Sequence, residues 1–79
     1  MSADQIRSAF NDTRTMDIVM QLSGGESERF GPEVEAFVID EHLVLLAWNL
    51  NGVRTGRGKL VSVPNVAALE FVPPLSAAG

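Results

Sequence analysis

The chain is expected to be mainly β: a short N-terminal helix, then a five-stranded, strongly bent antiparallel small barrel. Three observations carry this. Residues 60–63 and 66–72 are two β-type runs separated only by Pro64-Asn65. Proline lacks an N–H and fixes φ, so it interrupts a ladder, and Asn accepts the bent backbone of a tight turn. Asn51-Gly52 stands between two further apolar runs and is the strongest short hairpin signal, because both residues accept φ > 0. Ahead of these, Met16 to Leu22 alternates apolar and polar residues at period 2.

The elements follow in order. Ser2-Ala3-Asp4-Gln5 is a capping-box pattern. Ile6, Ala9 and Phe10 then form one apolar stripe on a helix over residues 2–11, which Asn11-Asp12 ends. Two turns of helix do not stand alone in water, so the helix must dock, most simply across the open end of the barrel. The first strand, 16–22, turns Met16, Ile18, Met20 and Leu22 inward and Asp17, Val19 and Gln21 outward. Residues 23–27 form a glycine-containing loop. The second strand runs from Phe30 or Glu33 to Ile39, and Gly31-Pro32 marks a kink or edge position near its start. Glu33 and Glu35 face out, Val34 and Ala36 in. After a turn at Asp40-Glu41, the third strand, 42–50, is apolar on both faces. The fourth, 53–63, holds Gly56 and Gly58, the mark of a bulge or sharp bend. The fifth is 66–72, and 73–79 reads as a flexible tail. The 79 residues make a single domain.

A domain of this size buries only about 60% of its unfolded surface. Small scaffolds need disulfides, a metal or oligomerisation as support. With no Cys and one His, His42, disulfides, thiolate zinc sites and His-rich metal sites are excluded. Oligomerisation remains, and no cofactor is expected. Strands apolar on both faces ask for cover on both, so the outer residues of the second, third and fifth strands need another copy, the helix or a partner. The apolar fraction of 46% agrees. The N-terminus has no basic region leading into an apolar one, and Leu43 to Trp48 is too short to cross a bilayer. A cytoplasmic location, away from membranes, is the expectation.

Charge is segregated. Residues 1–41 hold nine acids against three bases, a local −6; residues 42–69 hold Arg54, Arg57 and Lys59 and no acid; Glu70 adds the last charge to a net −4. The basic stretch is either a solvated hairpin or one half of an acid–base match between neighbouring copies. At period 2, Arg54, Arg57 and Lys59 share one face if no bulge intervenes, a short row that could track phosphates. Trp48 could stack on a base or anchor a partner, or pack on the barrel. His42 beside Asp40 and Glu41 could make a pH-sensitive contact or cap the turn. Asp40 and His42 have no nucleophile nearby. Gly56-x-Gly58-Lys59 lacks the spacing and helix of a phosphate loop. The chain is read as non-enzymatic.

A helix followed by five strands with a one-turn break before the last resembles the Sm-like family of small barrels, over residues 3–73. Asp40-Glu41-His42-Leu43-Val44-Leu45 stands in the place of the family's first motif; Asp40 matches, Leu43 replaces the usual Met, and Val44 takes the position of the uracil-contacting Asn. Val61 to Val66 stands in the place of the second motif; Asn65-Val66 is kept, and Ser62-Val63 replaces Arg-Gly. The resemblance implies the fold and rings formed by edge-strand pairing, with both RNA-contact positions replaced. A second resemblance is to the SH3 domain, through Trp48, Thr55-Gly56-Arg57-Gly58 and Val63-Pro64-Asn65-Val66. The first strand lacks that family's Ala-Leu-Tyr-Asp-Tyr run, and the chain has no Tyr.

The reading that results is an interaction module that self-associates through its fourth and fifth strands, with Leu60, Val61, Val63, Val66, Ala68, Leu69 and Phe71 as interface residues. The alternative is an RNA-binding oligomer using Asp40, His42, Trp48, Arg54, Arg57 and Lys59.

Overall fold

The computed structural model describes residues 1–12 and 15–74. Six strands form two three-stranded antiparallel sheets. Helix α1 (Ala3–Asn11) leads into β1 (Asp17–Leu22), β2 (Ser27–Phe30), β3 (Val34–Asp40), β4 (Leu43–Leu50), β5 (Val53–Ser62), a 3-10 turn (Val63–Asn65) and β6 (Val66–Val72). One sheet has the order β2-β1-β6, the other β3-β4-β5. The expected count of five is corrected to six, and the pairings do not close one sheet onto the other. The extra strand is β2, which lies ahead of the expected second strand or overlaps only its first residue, and Gly31-Pro32-Glu33 separates it from β3, because proline cannot continue a ladder. The same break carries the chain from one sheet to the other.

Local chemistry sets the ends of the elements. The Ser2 hydroxyl accepts from the Gln5 N–H at 3.2 Å and the Ser2 N–H donates to Gln5 Oε1 at 2.7 Å, a complete capping box. Ile6, Phe10 and Ala3 are the buried face of α1, which packs mainly on β3. Asn51 (φ 52°) and Gly52 (φ 79°) turn β4 into β5 with both residues left-handed, as the hairpin signal requires. At the 3-10 turn, the Val63 N–H donates to the His42 carbonyl and the Ser23 N–H to the Asn65 carbonyl. These two bonds tie the β5–β6 junction to both sheets.

The core lies between the sheets. Ile18, Met20, Phe30, Val34, Val44 and Leu46 are its most enclosed large side chains besides Ile6. Phe30 joins its parts, meeting Phe10 edge-on at 5.5 Å and Trp48 at 5.8 Å. Along β4, Val44, Leu46 and Trp48 face this core, while Leu43, Leu45 and Ala47 are half-buried on the far side.

One expected exposure is overturned. Asp17 is buried, at 5% exposure, although the alternation of β1 turns it outward. Arg29 of β2 explains this: its Nε donates to Asp17 Oδ2 at 2.8 Å and its Nη2 to the Pro73 carbonyl at 2.7 Å. A buried carboxylate is tolerated when a guanidinium hydrogen-bonds it. The expected tail thus begins anchored at Pro73, and residues 75–79 lie outside the described residues.

Candidate interface at the free strand edges

Each sheet has two edges, and in the β3-β4-β5 sheet they differ. On β3, Asn11 acts as a substitute strand: its Nδ2 donates to the Ala36 carbonyl and its Oδ1 accepts from the Ala36 N–H, both at 2.7 Å. The carboxamide makes the same two bonds that a paired residue would. On the opposite edge, β5 pairs among the described residues only with β4, and nine of its ten residues are exposed. In the other sheet, β6 pairs among the described residues only with β1. Open edges of this kind are templates for another strand.

β5 is also bent by a bulge, as its glycines suggest. Gly58 stands opposite Ala47 and Arg54 opposite Asn49, so β5 spends Thr55, Gly56 and Arg57 where β4 spends only Trp48. Gly56 takes φ 85°, a region L side chains rarely adopt. Thr55 Oγ1 donates to the Trp48 carbonyl at 3.0 Å and lies 3.2 Å from the Arg57 N–H, which donates to it.

The bulge breaks up the expected basic row. Arg57 lies 4.2 Å over the Trp48 ring, on the core side of the sheet. Arg54 lies 4.4 Å over the ring of Phe37, on the outer side. Lys59 stands opposite Leu46 and pairs with Glu28 of β2. The three bases therefore do not share one face. Arg29 and Lys59 have carboxylate partners, and so does Arg7 through Asp4 at 3.5 Å. Among the described residues, Arg54 and Arg57 are the bases with aromatic partners in place of acids.

Asp40 and His42 sit at the other end of β4, away from this cluster. Asp40 Oδ1 accepts from the His42 N–H at 2.7 Å, the geometry of turn capping, and His42 Nε2 lies 3.5 Å from Glu41 Oε1 with both side chains exposed. The six nucleic-acid candidates are thus not brought into one site. Among the described residues there is no cluster of three metal-ligating side chains, and no helix is long and apolar enough to cross a membrane.

The seven interface candidates divide as well. Val61, Val63 and Val66 lie in the core of the chain itself. Leu60, at 60% exposure, Phe71, at 50%, and Ala68 are exposed, and Leu69 is half-buried. Only these four are accessible to a neighbour. Sequence reasoning missed Asn11, whose role depends on a strand 25 residues away. It also missed Phe37, which supports Arg54. A cleft of about 420 Å³ between the β1–β2 hairpin and the end of β5 has Met20, Leu22 and Val61 on its floor and Glu26, Ser23 and Ser62 at its rim.

No family model, no curated protein and no solved structure matches this chain.

Proposed function

We propose that the chain is a non-enzymatic interaction module, a small Sm-like barrel that self-associates by laying β6 of one copy along β5 of the next, closing as a ring. The observation that carries this reading is the unequal treatment of the two edges of one sheet. Asn11 occupies β3 at Ala36, and β5 is left open over its length. Leu60 on β5 and Phe71 on β6 add exposed apolar surface to the two free strands. Pairing them satisfies backbone groups and removes apolar area from water together. Sedimentation or light scattering is expected to find a multimer at micromolar concentration. A stable monomer overturns the reading.

A second reading, RNA binding by the same oligomer, is favoured by Arg54 and Arg57, which have no carboxylate partners among the described residues. It requires single-stranded RNA to bind at low salt, to be released steeply as salt rises, and to bind less well to Arg57→Ala. It ranks second because Lys59 is occupied by Glu28 and the net charge is −4.

A further inference from the structure

We infer that the groove over Gly58 on β5 receives the Glu70 carboxylate of a second copy. This rests on the edge-pairing reading and states how the two edges recognise each other. The groove encloses about 240 Å³ and is lined by Leu45, Ala47, Arg54, Gly56, Arg57 and Gly58. The Arg54 guanidinium is on this outer face, the Arg57 guanidinium is turned to Trp48 on the other, and no carboxylate is in the lining. Gly56 has open space around it, Leu45 leans over Gly58, and Phe37 holds the Arg54 guanidinium from behind. An arginine stacked on a ring is positioned in advance and keeps its donors free for an acid.

The complementary charge is on the other open edge. Glu70 is the single charged residue of β6. It stands opposite Val19, whereas its neighbours Leu69 and Phe71 stand opposite the buried Met20 and Ile18. Glu70 therefore projects from the outer face of its sheet. Gly58 and Arg54, opposite Ala47 and Asn49, lie on the outer face of theirs. An antiparallel pairing that sets Ala68 across from Leu60 matches outer face to outer face and carries Glu70 to Gly58. Arg54 is then its diagonal neighbour, because the bulge brings Arg54 next to Gly58 on that face. A pairing of β5 with β5, or β6 with β6, would offer no opposite charge across the edge. A nucleic-acid backbone would approach the same guanidinium against a net charge of −4.

The test is a charge exchange read by sedimentation velocity, with circular dichroism to verify folding of these exposed positions. Arg54→Glu and Glu70→Arg are each expected to weaken self-association about tenfold. The double variant should recover to within about threefold of wild type and fail to co-assemble with wild-type chains, since each mixed contact sets like charges together. A double variant as weak as the singles overturns the inference while leaving edge pairing standing. So does a Glu70→Arg chain that assembles as wild type while Arg54→Glu loses binding to a uridine-rich RNA. A monomeric wild type overturns both.

Discussion

On one edge of the β3-β4-β5 sheet a single carboxamide fills the place of a neighbouring strand; on the other, β5 runs its length with β4 as its only partner. The chemistry beside each edge differs as well. The Asn11 side of β3 is half sheltered under α1, and its two hydrogen bonds close off Ala36. The β5 side carries a bulge, two ring-held arginines and the exposed Leu60. Bulges and charges are the usual devices that discourage indiscriminate edge pairing. Here they leave the stretch from Gly58 to Ser62 as regular ladder, so they select a partner more than they forbid one. One edge of this small sheet is thus capped at Ala36, while the other is left uncapped.

The largest expected effect comes from removing the protection. Asn11→Ala leaves the Ala36 N–H and carbonyl without their partner in a partly buried setting, at a cost of about 2–3 kcal/mol. Urea denaturation would read it, and an unchanged midpoint would mean water replaces the carboxamide at no cost. The same variant should also aggregate more readily, because the β3 edge is then uncapped at Ala36 as well.

Changing the receptive edge should act on association alone. Leu60→Glu is expected to weaken self-association about tenfold, equal to about 1.4 kcal/mol, while shifting folding stability by less than about 0.5 kcal/mol. A loss of stability comparable to that of Asn11→Ala would show that Leu60 serves the fold and not the edge.

The smallest effect is on the bulge between them. Gly56→Ala meets no atom within 4 Å but must hold φ 85°, so the cost is strain alone, about 1 kcal/mol. Its informative readout is Trp48 fluorescence, since Arg57 stacks on that ring. An unchanged spectrum would mean the cation stays in place without the glycine.

How much of this could be read from the residues depended on how local the causes are. The capping box, the Asn51-Gly52 hairpin, the break at Pro64-Asn65 and a bulge near Gly56 are all set within a few residues, and each appears where the sequence places it. The size of the bulge was not readable, because it depends on how many residues of β5 one residue of β4 can face. Two extra residues were enough to put Arg54 and Arg57 on different sides. Asp17 was misplaced for a similar reason: period 2 gives its face, but its burial depends on Arg29 of the next strand. Apolar character identified Val61, Val63 and Val66 as interface residues, and apolar character alone cannot separate a chain's own core from a surface offered to a neighbour. The two-sided apolar pattern of β4 was informative in the way expected, with one face enclosed and the other half-covered.

The pairing of β1 with β6 has a consequence for how the chain comes together. β1 joins its hairpin partner β2 across a short loop, but its other neighbour arrives only with the last strand, where Asp17 meets Val72. On a growing chain leaving the ribosome, helix, hairpin and the β3-β4-β5 sheet all emerge while that side of β1 is still bare. Closing so long a loop is the slow event in such a topology. During that interval, β6 from another molecule is chemically identical to the one still to come. A β6 supplied by another molecule would meet the same bare side of β1, which is the condition for strand exchange.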